Sequence, residues 1–139
     1  MPVIKRILVG VDGSENSLRA AQMAAEIAKK EGAKVTLLNV IAPSDWALLS
    51  GKMTRSLEED TIGDERLHTA IGIMKLQGVE YDTAEEFGHP AETILRIGAK
   101  DYDLIAVGRR GLSGMKEFVI GSVSSTVVHH SKVATLIVP

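Results

Sequence analysis

The chain is predicted to be one α/β domain: an open, parallel, five-stranded sheet in the order 3-2-1-4-5, with helices on both faces. Three observations lead there. Five short apolar runs alternate with stretches of helical periodicity, the pattern of βαβ units. The second run is apolar almost throughout, whereas the third alternates apolar and charged residues. The length, 139 residues, fits a single layered domain.

The elements follow in order. "RILVGV" (Arg6–Val11) reads as the first strand, and "VDGS" (Val11–Ser14) as the turn and cap that lead out of it. Leu18, Ala21, Ala25 and Ala28 share one face of a helix that ends before Gly32. "KVTLLNVI" (Lys34–Ile41) is the second strand. "APSDWALLSGKMTRS" (Ala42–Ser56) has no clear period, begins at Pro43 after one residue, contains Gly51 and carries the sole Trp. Its Trp46, Leu48, Leu49 and Met53 suit either the cover of a ligand or partner, or the anchor of a helix extension. Leu67, Ala70, Ile71 and Met74 mark a second helix ending at Gly78. "VEYDTAEEF" (Val79–Phe87) is the third strand, and Ala91, Ile94, Leu95 and Gly98 form the stripe of a third helix with Pro90 at its first position. "DLIAVG" (Asp103–Gly108) is the fourth strand. Val123, Val127 and Val128 mark a fourth helix ending near Ser131, and "ATLIV" (Ala134–Val138) is the fifth strand.

Strand order follows from burial. A parallel strand covered on both faces is continuously apolar, and an edge strand can alternate. Strand 2 is therefore interior and strand 3 an edge, which gives 3-2-1-4-5; the order 2-1-3-4-5 would expose strand 2 and bury strand 3. The winding reverses between strands 1 and 4, and ligands bind at such a switch point, outside the carboxyl ends of the strands. The residues there are Gly10–Ser14 and Gly108–Gly111. Strand 5 is an apolar edge, which invites aggregation unless covered. With the chain stopping at Pro139, the simplest cover is the same strand of a second copy, a homodimer through Ala134–Val138.

Composition narrows the function. Hydrophobic residues are 45%, charged residues 24% and aromatics 4%, so the core is built mainly from Val, Ile, Leu and Ala. A net charge of -2 argues against a general nucleic-acid binder. The absence of cysteine excludes disulfides and thiolate chemistry. No apolar run approaches the ~20 residues that span a bilayer, and "MPVIKRILVGVDGS" is not a signal peptide, so the expectation is a cytoplasmic chain with no membrane contact.

The stretch "GRRGLSGMKEFVIGSVSS" (Gly108–Ser125) carries the densest chemistry. Gly108 ends strand 4, where the lack of a Cβ lets a ligand or a neighbouring backbone come close. Gly111 and Gly114 follow in the loop. Gly121 and Ser122 open the fourth helix, whose free N–H groups and positive dipole end suit a phosphate. Gly121 allows close approach, Ser122 reads as an N-cap, and Ser122 or Ser124 can donate a hydroxyl. Arg109, Arg110 and Lys116 can add positive charge or be solvated surface. Asp12 can accept hydrogen bonds from ribose hydroxyls or backbone amides, and Val40 can face a base. Turn, cap and core packing explain Asp12 and Val40 equally well. The chain has no G-x-x-x-x-G-K-[ST], no G-x-G-x-x-G after strand 1 and no G-x-S-x-G. His68, His89, His129 and His130 read as structural or surface residues, with no metal-site spacing.

These features together resemble the universal stress protein family over residues 1–139. "ILVGVDGSENSLRAAQMAAEIAKKEGAKVTLLNVI" is similar to the family's opening strand–helix–strand, and "GHPAETILRIGAKDYDLIAVGRRG" to its third helix and fourth strand. The most specific match is G-x-x-G, nine residues, then G-[ST], here Gly108, Gly111, Gly121 and Ser122, the mark of the family's ATP-binding branch. The resemblance implies a Rossmann-like, adenine nucleotide alpha hydrolase-like fold with ATP and magnesium in the crevice. It implies Val11 and Asp12 near adenine and ribose, Val40 flanking the base, and Gly108, Arg110 and Gly111 around ribose and phosphates. It implies Gly121, Ser122, Val123 and Ser124 as the phosphate-holding helix start. Gly10 departs from relatives that carry Pro or Ala there, which implies a looser base contact. The role implied is a homodimeric, nucleotide-dependent stress-response module that a protein partner reads. The alternatives are a weak ATPase, and an interaction protein that binds AMP, cyclic AMP or no nucleotide. The H-x-G-H motif of related nucleotidyl transferases is absent.

Overall fold

The computed structural model describes residues 3–43, 45, 61–110 and 121–139. Its elements are β1 (Arg6–Gly10), α1 (Glu15–Glu31), β2 (Lys34–Ile41), α2 (Thr61–Gln77), β3 (Tyr81–Phe87), α3 (Pro90–Gly98), β4 (Leu104–Gly108), α4 (Ser122–His130) and β5 (Ala134–Val138). The sheet is parallel throughout, in the predicted order β3-β2-β1-β4-β5. Seven of the eight β2 residues are buried, whereas β3 alternates half-buried and exposed positions over most of its length, as an interior and an edge strand should. Predicted Ala42–Ser56 lies largely outside the described residues, as do Gly111, Gly114 and Lys116.

Most boundaries match the periodicity, and the differences have local causes. Gly32 ends α1 in the left-handed conformation (φ 69°), which costs glycine no Cβ clash. β3 starts two residues late because the chain is still closing α2: Val79 N–H donates to the Met74 carbonyl (3.1 Å). β4 starts at Leu104 because the Asp103 side chain is occupied with the entry to β1. Its Oδ2 accepts from the backbone N–H of Lys5 (2.8 Å) and Arg6 (3.1 Å), and those two donors hold its carboxyl below the ordinary 3.8.

Two cores sandwich the sheet. On one face, Ile7, Val9, Val35 and Leu37 meet Leu67, Ala70 and Met74 of α2 and the buried Ala20, Ala21, Ala24, Ala25 and Ala28 of α1. That alanine stripe brings the α1 backbone close to the sheet. On the other face, Leu8, Leu38, Val40, Ile105 and Val107 pack on Ile94 of α3 and Val127 of α4. Each large core side chain contributes about 1.5–3 kcal/mol by leaving water. The four helices named among the described residues thus start beyond the carboxyl ends of the strands, so their N-termini gather at one edge of the sheet. No helix among the described residues is long and apolar enough to cross a membrane.

Candidate functional site

At that edge, across the β1/β4 switch, lies a cleft of about 540 Å³. Small-molecule sites occupy about 300–1,000 Å³. Val11, Asp12, Val40, Gly108, Arg110, Gly121, Ser122, Val123 and Ser124 all line it, so nine of the ten residues singled out from the sequence share one wall system. The tenth, Gly111, lies outside the described residues.

The β1 side is built by short-range hydrogen bonds. Val11 leaves the sheet with its N–H still on the Leu38 carbonyl (2.8 Å) and its own carbonyl taken by Asn39 Nδ2 (2.7 Å), from a fully buried side chain. Asp12 then turns the chain: its Oδ1 accepts from Ser14 N–H (2.9 Å), an Asx turn. Ser14 caps α1, its Oγ accepting from Ser17 N–H (3.2 Å). Asp12 is therefore held half-buried at the cleft wall by the chain around it.

The β4 side differs from the expectation in three details. Gly121, not Ser122, is the N-cap of α4; Ser122 is the first helical residue, with an exposed side chain. A Cβ on Gly121 would sit 3.1 Å from the Arg109 carbonyl oxygen and 3.4 Å from Arg110 Cα, so this glycine lets the helix start pack under the loop. Gly108 keeps its expected role of admitting a neighbouring backbone, that of α1: a Cβ there would lie 2.7 Å from the Asn16 carbonyl carbon and 2.8 Å from Ser17 N. The Ser124 hydroxyl is buried and directed at the Arg109 carbonyl (2.8 Å) and the Gly121 carbonyl (3.0 Å). Ser122 is thus the serine whose hydroxyl is exposed at the cleft. The first turn of α4 has no acidic residue to offset its positive end.

Gly10 is not an open spot beside the cleft. Ile94 Cδ1 lies 3.0 Å, and Val107 Cγ1 3.3 Å, from where a Cβ would be. The isoleucine fills the room that a larger residue would take.

Two charged lining residues, Asp45 and Arg66, escaped the sequence reading, and a third lining residue, His89, was read there as structural or surface. His89 is exposed at the N-cap position of α3 and makes no side-chain cap bond. Its signal was available, since "GHP" follows the carboxyl end of a strand, where all ligand-facing loops gather. Arg66 forks onto Asp45, with its NH2 group 2.7 Å from Oδ1 and NH1 3.1 Å from Oδ2; Oδ2 also accepts from Ala42 N–H (2.8 Å). The Arg66 hydrogen bonds outweigh burial and hold the Asp45 carboxyl below 3.8. No spacing rule links residues so far apart in sequence. Among the described residues, no group of three or more His, Asp or Glu is arranged to hold a metal.

Comparison with known proteins agrees with this architecture. The universal stress protein family model matches residues 4–139. A putative universal stress protein of Staphylococcus haemolyticus is 32% identical over 147 aligned positions, covering 99% of this chain and 86% of its own. A universal stress protein solved in complex with cAMP is 27% identical, with a TM-score of 0.72 over 99% of this chain and 98% of its own. A universal stress protein from Lactobacillus plantarum shares the fold at 23% identity and a TM-score of 0.76, over the whole of both chains. With its strand order, its ligand-edge cleft and a family match over nearly every residue, this chain belongs to the universal stress protein family.

Proposed function

We propose that the cleft binds ATP together with magnesium, and that the chain is a cytoplasmic, nucleotide-dependent regulatory module of the stress response. It works as a homodimer through Ala134–Val138 and is read by a protein partner. One observation carries the reading: Asp12 and Val40 stand on the β1–β2 side of the cleft that has the α4 N-terminus on its other side. An adenine nucleoside with its phosphates calls for these two kinds of wall in one cleft. Asp12 accepts the ribose hydroxyls, Val11 and Val40 flank the base, and Gly108 and Arg110 border the phosphates. The exposed Ser122 hydroxyl and the first α4 amides hold the phosphate oxygens, with Val123 and Ser124 shaping that turn. Magnesium arrives on the phosphates, as it commonly does where protein carboxylates are few. The 27% identical relative in complex with cAMP supports an adenine nucleotide.

Two measurements test this. Mass spectrometry of the protein as purified should find ATP. Free ATP at 100 times its dissociation constant should add about 2.7 kcal/mol of stability. An empty protein whose melting temperature ignores millimolar ATP with magnesium would overturn it. The same cAMP complex favours a second reading, a mono- or cyclic nucleotide in this cleft. Stabilisation by cAMP or AMP but not ATP would select it.

A further inference from the structure

The loop Gly108–Arg110 borders the cleft, yet its position is set from behind, by α1. Gly108 rests directly on the Asn16 backbone. Asn16 is 6% exposed, a burial that an amide tolerates only when it is hydrogen-bonded. Its Nδ2 donates to the Arg110 carbonyl (3.3 Å), 94 residues away, and its Oδ1 accepts from an Arg19 guanidinium N–H (2.5 Å). Arg19 in turn donates from Nε to the Pro139 carbonyl (2.6 Å), just past β5, and its other arm faces Glu15 at 3.8 Å. A planar guanidinium keeps these arms at fixed angles, so Arg19 orients the Asn16 amide.

We propose that Asn16 and Arg19 are positioning residues for the phosphate part of the ligand. Neither needs to touch it. Asn16 holds the Arg110 peptide, Arg19 holds Asn16, and the end of β5 holds Arg19. The inference rests on the nucleotide reading of the cleft and adds a determinant behind it. Its consequence is selective: the loop flanks the phosphate end, so losing the relay weakens ligands that carry phosphates and spares the nucleoside.

The test is calorimetric titration of ATP with magnesium, and of adenosine, into the full chain and its Asn16→Ala, Arg19→Met and double variants. Asn16→Ala should weaken ATP about tenfold, the scale of one partly buried hydrogen bond. Adenosine affinity should stay within about twofold, and the double variant should be no weaker than Asn16→Ala, because the two residues act in series. Unchanged ATP affinity, equal loss for both ligands, or additive losses would overturn the proposal. Amide exchange of the unliganded proteins separates its failure from that of the nucleotide reading. The Arg109 and Gly121 amides should exchange about tenfold faster in Asn16→Ala, whether or not any nucleotide binds the wild type. Unchanged exchange there refutes the positioning role by itself.

Discussion

Asp45 and Arg66 form a two-pronged ion pair in the cleft wall, at 2.7 and 3.1 Å, with their side chains only 14% and 15% exposed. It ties the start of the β2–α2 connection to α2. Exposed pairs contribute about 0.2–1 kcal/mol, and breaking a fully buried one costs about 3–5 kcal/mol. This half-sheltered pair falls between, so Arg66→Met should cost about 1–2 kcal/mol in urea denaturation. Acid should act in one direction. The folded carboxyl titrates below its ordinary 3.8, so its stabilisation is complete above that value and disappears as pH falls through the lower folded value. The stability gap between wild type and Asp45→Asn should hold steady from pH 7 to about pH 5 and close below 3.8. A gap that changes between pH 7 and 5 would contradict this.

Two glycines separate crowded from open surroundings. A Cβ at Gly108 meets Asn16 and Ser17 backbone at 2.7–2.8 Å, whereas one at Gly72, inside α2, meets nothing within 4 Å. Gly108→Ala should destabilise by about 2–3 kcal/mol, the upper range for overpacking. Gly72→Ala should leave stability unchanged or raise it by up to about 1 kcal/mol, since alanine has the higher helix preference and meets no neighbour there. Equal losses in chemical denaturation would refute the distinction.

Ser122 and Ser124 should show opposite phenotypes. Ser124→Ala removes a buried hydroxyl from the Arg109 carbonyl and should cost about 1 kcal/mol of stability. Ser122→Ala alters an exposed side chain, so it should leave the melting temperature unchanged and weaken ATP several-fold. Titration and thermal melts of both variants read the contrast.

The β5 edge offers a backbone test of the dimer. The Val138 carbonyl faces inward, to Arg109 N–H (2.7 Å). Peptide groups alternate along a strand, so Thr135 turns its N–H outward, where a proline is tolerated in an edge. Analytical ultracentrifugation should find a wild-type dimer and a folded Thr135→Pro monomer. A variant that stays dimeric would place the interface elsewhere.

The order of the sheet was legible because burial leaves a direct trace in strand composition: "KVTLLNVI" could lie only between neighbours, and "VEYDTAEEF" only at an edge. The cleft was legible because βαβ geometry sends all the loops after the strands to one side. What Gly121 does there was not. Gly121 sits where a ligand-facing reading puts it, but its missing Cβ makes room for Arg109, whereas Gly108 takes the backbone alternative of its two readings, against Asn16. Sequence shows that a small residue is present, not which neighbour occupies the space. The Asp45–Arg66 pair was invisible for a related reason, since it exists only once α2 has docked.

Arg109 illustrates what such a site conceals from comparison by side chain. Its N–H completes the β4–β5 ladder at Val138, and its carbonyl accepts from Gly121 N–H and from the Ser124 hydroxyl. Sheet edge and helix start are therefore fastened through main-chain atoms of one residue. A fastening of this kind is indifferent to the side chain it carries: position 109 can drift through almost any residue except proline, while the constraint falls on its small neighbours. Alignments that score residue 109 as variable would pass over the hinge pin of the site.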